Sequence, residues 1–339
     1  MLGWGYPPDI DGGLDIHVAH LFEELRELGV DVKLALPEER APDREDIIEL
    51  DAGEGDMMQK SRNLSREFVE LAKDFDIVHT HDWFGSEPGL KAKKYSDVRW
   101  VATFHSLSSQ RTRSPSDRME ELERGIAERA DEVIAVSEML AEDVEQKYDR
   151  EPVVIHNAFS RPETQGANVK ERLDADTMVL YVGRHAEQKG LEHLLYGFRK
   201  SLEENEATLV LGGDGHMRGA LEEFAEILGI EDSVIFEGFI PEEELGDYYA
   251  SADVFVSPSI NEPFGLTVTE AVESGTPVVA TRSGAEEVLP GNAVVSVEPD
   301  SDSIASGIKE ALDREVPEFE SRSWSEVAGE TLEVYSELI

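Results

Sequence analysis

A strand-then-helix rhythm runs the length of this chain and is broken once, and that rhythm limits what the chain can fold into. Residues 1–5 read as a first strand. A helix follows from about Asp15, with Ile16, Ala19, Phe22, Leu25 and Leu28 at helical spacing and Gly29 as its stop. Val30, Val32, Leu34 and Leu36 alternate as a second strand, and further strands are expected at 76–80, 98–104, 132–136 and 152–155. The stretch 37–60 is acidic and poorly periodic and reads as a long loop. A polar segment, 161–176, interrupts the rhythm and reads as a linker. The alternation restarts at 178–182, continues with a helix carrying Leu191, Leu194, Leu195, Phe198 and Leu202, and adds strands at 208–211, 234–237, 254–257 and 278–281. Strands that alternate with helices make parallel sheets covered on both faces. Two such series imply an α/β protein of two doubly wound domains, 1–160 and 177–322, facing each other across a cleft. The segment 323–339 reads as a terminal helix that docks back on the first domain.

Charge narrows the partners. The 339 residues carry 74 acidic and 31 basic side chains, a formal net charge of −43. Such self-repulsion loosens a compact fold at low ionic strength, and at molar salt the screening length falls to about 3 Å. The composition therefore fits a halophilic, salt-accumulating source; an acidic mesophilic protein is the blander reading. Nucleic acid is excluded as a partner because phosphate backbones need a basic face. No run approaches 18 apolar residues, so no integral membrane segment is expected, and no basic amphipathic helix speaks for peripheral membrane association, which stays open. The amino terminus has neither a basic region nor an apolar leader, which fits a cytoplasmic location. With no cysteine, disulfides, thiolate chemistry and cysteine-ligated zinc are out; no cofactor is expected.

In parallel sheets, ligands bind beyond the carboxyl ends of the strands, and the unusual polar and glycine-rich segments fall there repeatedly. The first half offers Gly12-Gly13 ahead of a helix with His17, then His81-Asp82-Trp83, His105, Ser137 and His156-Asn157. The second half offers Gly183-Arg184 with Lys189-Gly190, then Gly212-Gly213-Asp214-Gly215, then Gly238-Phe239 and the segment from Ser257 to Glu270. In that last segment Pro263 keeps Glu262 in extended backbone, Gly265 allows a turn, and a helix should begin near Leu266. The amides of Leu266 and Thr267 then point from a positive helix terminus, a ready phosphate site. Glu262 in the loop and Glu270 one turn into the helix lie on different elements and do not make a hydrolase acid/base pair; a capped helix start with a surface glutamate is the alternative. Arg184 and Lys189 supply the cations that a departing diphosphate requires, or Lys189 merely caps a helix. His105 is either a packed core imidazole or a sugar contact. His79, His81 and Asp82 superficially suggest a metal group, but no metal is expected.

These segments resemble glycosyltransferase family 4, the group of glycogen-synthase-like, sucrose-phosphate-synthase-like and phosphatidylinositol-mannosyltransferase-like enzymes. The resemblance is carried by Glu262 and Glu270 within Ser-x-x-Glu-Pro-Phe-Gly-Leu, by Trp4-Gly-Tyr-Pro-Pro with Gly12-Gly-Leu, by His79-Thr-His-Asp-Trp83, and by Gly183-Arg184 through Lys189-Gly190. It implies the GT-B architecture of two Rossmann-like domains and a retaining, metal-independent transfer of a hexosyl group from a UDP-, ADP- or GDP-sugar to a glycan, sugar-phosphate or lipid-linked acceptor. By that resemblance Arg184, Lys189 and the amides of Gly13, Leu266 and Thr267 hold the donor diphosphate. Glu262 and His105 contact the sugar, Glu270 binds the ribose, and Gly213 and Phe239 border the nucleotide. His17, Asp82 and Trp83 fall on the acceptor side. The leaving phosphate takes the acceptor proton, so no protein nucleophile is implied. Departures concentrate in the first half: Gly-Gly-Leu continues as Asp15-Ile16-His17, Ile10-Asp11 replaces the lysine before the double glycine, and Asn157-Ala158 replaces Asn-Gly, which weakens glycogen synthesis in particular. A non-catalytic nucleotide-sugar-binding protein, or another GT-B enzyme such as a nucleotide-sugar epimerase, is the competing reading.

Overall fold

A computed structural model describes residues 1–112, 115–202 and 206–339. The chain forms two compact units, Met1–Ala158 with Arg322–Ile339, and Phe159–Ser321.

Unit 1 opens with an extended segment, then α1 (Gly13–Glu27), β1 (Leu34–Pro37), β2 (Ile47–Leu50), α2 (Met57–Ala72), β3 (Ile77–His81), α3 (Ser86–Ser96), β4 (Arg99–Phe104), α4 (Ser108–Arg111), α5 (Asp117–Arg129), β5 (Glu132–Ala135), α6 (Glu138–Tyr148) and β6 (Val153–Val154). The strands β3-β4-β5-β6 form one parallel run and β1-β2 a parallel pair. The expected strand at residues 1–5 shrinks to Leu2, which bridges Ala35 on one side and Thr80 on the other, donating its N–H to the His79 carbonyl. It is still the pivot of the sheet. β1 and β2 lie on one side of it and β3 to β6 on the other, so the topological switch falls between Leu2 and β3. Val18 and Phe22 of α1 pack with Leu34, Leu36 and Ile47, and Met1 lies against them.

Two expectations need correction here. Residues 37–60 are not one loop: they contain a 3-10 turn at Glu38–Arg40, then β2 and the start of α2. β2 was hidden because only its ends, Ile47 and Leu50, are buried, a two-residue signal inside an acidic run. The second strand is also shorter than the alternation predicts, since Val30 and Val32 precede it.

Unit 2 contains α7 (Val169–Arg172), β7 (Met178–Val182), α8 (Leu191–Ser201), β8 (Thr208–Gly212), α9 (Arg218–Leu228), β9 (Val234–Gly238), α10 (Glu242–Ser251), β10 (Val254–Ser257), α11 (Leu266–Glu273), β11 (Val278–Thr281), β12 (Val294–Val297) and α12 (Ser301–Ala311). Its six-stranded parallel sheet runs β12-β11-β10-β7-β8-β9, the strand order of a dinucleotide-binding Rossmann sheet, with its switch point between β7 and β10. Leu191, Leu194, Leu195 and Phe198 on one face of α8 are fully buried against β7, β8 and the Ile304–Ile308 face of α12; each such side chain contributes roughly 1.5–3 kcal/mol of burial. α7 lies within the polar segment read as linker, and β12 is a strand the sequence reading omitted.

The chain then returns to unit 1 through α13 (Trp324–Leu338). Ser323 caps it in a reciprocal box with Glu326. Trp324 stacks on His20 of α1 at 4.8 Å, and Tyr335 donates or accepts a 2.6 Å hydrogen bond at His79 Nδ1.

Candidate functional site

In unit 2 the polar groups gather at the switch point. Gly190 follows the 3-10 turn Glu187–Lys189 with φ 63°, and a Cβ there would lie 2.2 Å from the Pro258 carbonyl oxygen. Only glycine tolerates both conditions. The contact seats the loop after β7 on the loop after β10, where Ile260 N–H donates to the Gln188 carbonyl at 2.9 Å. Lys189 Nζ thereby reaches Glu262 Oε2 at 2.6 Å, and Ser259 Oγ donates to the same oxygen at 2.8 Å. Ser259 was visible in the sequence as the serine of Ser-x-x-Glu, but nothing there announced its bond. Arg184 is solvent-exposed and, among the described residues, has no ion-pair partner.

Gly265 caps α11 with φ 97°, so the chain turns from Glu262 straight into the helix. Leu266 and Thr267 are its first two residues, partly exposed, and their N–H groups belong to the first turn that has no intrahelical acceptor. Glu270 is buried, accepts the Tyr249 hydroxyl at 2.9 Å, and is pushed up to about 7 by burial. Tyr249 gave no signal in the sequence. Gly213 (φ 101°) leaves no room for a side chain: a Cβ would sit 2.1 Å from the Gly183 carbonyl oxygen. Phe239, next to Gly238, is 80% exposed, an apolar ring held in water at the end of β9.

In unit 1 the histidines come together. His105 follows β4; its N–H donates to Asp82 Oδ1 at 2.8 Å, and its Nε2 lies 3.1 Å from His81 Nδ1. His17 reaches the same place from α1, 4.5 Å from the His105 ring, with its Nδ1 2.7 Å from Asn157 Oδ1. Burial, with the Arg111 charge and then His79 adding to it, holds His105 down to about 3, and burial pushes His17, His79 and His81 well below the usual range. The shifts favour the neutral imidazole at all four. His79 Nε2 is engaged by Thr103 at 2.8 Å.

Asp82 and Trp83, expected on the acceptor side, are both buried. Asp82 is 2% exposed; it pairs with Arg111 and holds the N–H groups of both His105 and Ser106. Trp83 is 6% exposed and packs edge-on to Phe84. The superficial His79–His81–Asp82 group does not converge, since His79 and Asp82 are each committed elsewhere; the side chains that converge are His17, His81 and His105. Gly13 begins α1, with its N–H in the unpaired first turn. Asp15 in the same first turn is buried and accepts the N–H groups of Gly5 and Asp11, which ties the glycine loop to the helix.

Two parallel sheets with polar groups at their switch points, one of them with a cation, a glutamate and a helix start together, define an α/β transferase of the GT-B fold class. A family model described as glycosyl transferases group 1 matches residues 163–328, and one described as Glycosyltransferase Family 4 matches 11–160. The chain is 30% identical to an uncharacterized glycosyltransferase of Methanocaldococcus jannaschii over 99% of this chain and 97% of that one. Its fold is similar to sucrose-phosphate synthase from Thermosynechococcus elongatus (TM-score 0.79, 24% identity, 98% of this chain and 95% of that one). It is also similar to Anabaena HepE, solved with UDP and glucose (TM-score 0.75, 18% identity, 99% and 100% covered). The chain belongs to glycosyltransferase family 4 and is a hexosyltransferase. No helix among the described residues is long and apolar enough to cross a membrane.

Proposed function

We propose that this enzyme transfers a hexosyl group, with retention and without a metal, from a UDP-, ADP- or GDP-sugar to a glycan, sugar-phosphate or lipid-linked acceptor. Unit 2 is the nucleotide-sugar domain and unit 1 the acceptor domain. The observation that carries the reading is the Lys189–Glu262 contact beside the open first turn of α11. A cation and free amides at one rim suit a diphosphate, and a carboxylate held by that same cation suits the sugar joined to it. Arg184 adds the second positive charge as the leaving phosphate gains its own, and the Gly13 amide assists. Glu270 takes the ribose hydroxyls, and Phe239 with Gly213 borders the base.

On unit 1, neutral His105 hydrogen-bonds the sugar near its 6-hydroxyl. Asp82 acts through it by fixing the backbone from which that imidazole projects. The leaving phosphate accepts the acceptor proton, which suits a site whose histidines are held toward the neutral form rather than poised as bases. His17 and Trp83 belong to the wall behind the acceptor. A screen of nucleotide sugars for binding and nucleoside diphosphate release at molar salt tests the proposal. Glu262→Ala should abolish release while leaving the melting transition nearly unchanged, because the residue sits in a rim loop. A variant with ordinary turnover contradicts the assignment, and binding without release in the unaltered protein favours a non-catalytic binder.

A further inference from the structure

We propose that His17, His81 and His105 form a three-imidazole site for a borderline first-row transition ion, Zn2+ foremost, and that filling it withdraws His105 from the sugar. One ring nitrogen of each residue lies within 4.8 Å of the other two, and the ring centres are 4.5, 5.6 and 5.3 Å apart. Three imidazoles on one tetrahedral Zn2+, at about 2.0–2.1 Å per bond, place their nitrogens about 3.3 Å and their ring centres roughly 5 Å apart. The rings are thus already at ligand spacing. His81 Nδ1 and His105 Nε2, at 3.1 Å, need to open by only a few tenths of an ångström.

Hydrogen bonding points the same way. The Asn157 carboxamide oxygen accepts from His17 Nδ1, so the proton is on Nδ1 and the lone pair on Nε2. A second polar group that fixes the tautomer and orients the ring is the usual support of a metal-bound histidine. His17 Nε2, the nitrogen left free to ligate, is buried without a hydrogen-bond partner, a costly arrangement for a polar atom in a packed interior. His105 is the partly exposed member and gives the ion its way in, with the fourth position left to water. The ligand set is nitrogen only, because Asp82 is held by Arg111. It therefore selects Zn2+, Ni2+ or Cu2+ over Mg2+ and has nothing of a diphosphate clamp. Ion and sugar compete for one imidazole. The inhibitory consequence rests on the sugar role given to His105 above; the binding site does not.

Titration of the full chain with Co2+ tests the site. Surface carboxylates hold Co2+ octahedrally with weak colour, whereas tetrahedral nitrogen ligation absorbs strongly in the visible. The expected result is one equivalent of intense absorption, displaced by Zn2+ and not by Mg2+, and lost in His17→Ala and His81→Ala. Asn157→Ala keeps all three ligands and should weaken Co2+ binding about 10- to 100-fold, a readout that does not depend on the histidine variants folding. No intense band in the unaltered protein, or one that survives His17→Ala, overturns the site. A band accompanied by donor turnover that Zn2+ fails to inhibit leaves the site in place and overturns the sugar role of His105.

Discussion

Lys189 cannot serve Glu262 and a diphosphate equally, and this gives a prediction of opposite sign for two neighbouring substitutions. In the free protein Lys189 Nζ is 2.6 Å from Glu262, with side chains 23% and 13% exposed. At an effective dielectric near 20 the gross attraction of such a pair is about 4 kcal/mol at 4 Å separation. Desolvation and lost side-chain freedom offset most of it, leaving roughly 1 kcal/mol net for a partly exposed pair. A nucleoside diphosphate lacks the sugar, so it forfeits nothing when Glu262 is altered, and Glu262→Gln frees the ammonium for phosphate. Its affinity should rise about fivefold, although the same variant turns over poorly with the full donor. Lys189→Met removes a charge-assisted hydrogen bond of about 1.5–3 kcal/mol and should weaken the nucleoside diphosphate about 10- to 150-fold. In the Lys189→Met background, Glu262→Gln has no cation left to release and should change the affinity little. Calorimetry on the four proteins at one fixed ionic strength gives the coupling directly. Equal effects of Glu262→Gln in both backgrounds, or a loss of affinity in the single variant, would refute the competition.

Gly213→Ala puts a methyl group 2.1 Å from the Gly183 carbonyl at a φ of 101°; strain and overpacking together should cost about 2–5 kcal/mol, and a denaturant midpoint equal to that of the unaltered chain would show the turn to be looser than described. For Glu270 the folded value of about 7 stands above the ordinary 4.5, so the folded state holds the proton more tightly, and the associated stability is complete below pH 4.5 and lost as pH rises through 7. Glu270→Gln should therefore be near neutral at pH 4.5 and stabilise by up to about 3 kcal/mol at pH 8, while weakening nucleotide binding; the same stability difference at both pH values would refute the shift. The melting temperature should climb as sodium chloride rises from 0.1 M to molar concentrations and the screening length falls from about 10 to about 3 Å, with a flat salt profile counting against self-repulsion among the 74 carboxylates.

Much of this was legible because buried parallel strands announce themselves. β7, β10 and β11 are four- and five-residue apolar runs between turn signals, and β10 and β11 are buried throughout, so hydropathy alone delimits them. β2 and β12 lie at sheet edges with part of each strand exposed, and there the apolar pattern thins to two residues. Leu2 is legible only as one short apolar residue among glycines, because its neighbours on both sides supply nearly all its pairing. At the site, the sequence shows which loops follow which strands, and therefore Lys189, Glu262 and the α11 start. It does not show which side chain answers which. Tyr249 meets Glu270 from 21 residues away and Asn157 meets His17 from 140, and only packing decides such pairs.

The inward turn of Asp82 shows how the position of a residue in a motif leaves open which way its side chain points. His79, Thr80 and His81 end a strand, so alternate side chains point to opposite faces of the sheet. Asp82 breaks that alternation with a φ of 50° and a ψ of −172°, outside the left-handed helical well and in a strained region that residues with a side chain rarely adopt. The break brings its carboxylate beneath the end of β4, where Arg111 and two backbone N–H groups meet it. Its own pKa is raised by burial and lowered in turn by Arg111 and by those two amides. The residue is thus costly to bury and gains its partners only where β3 and β4 end side by side. A carboxylate in a surface loop could have served an acceptor directly; one held there serves by fixing the position of His105.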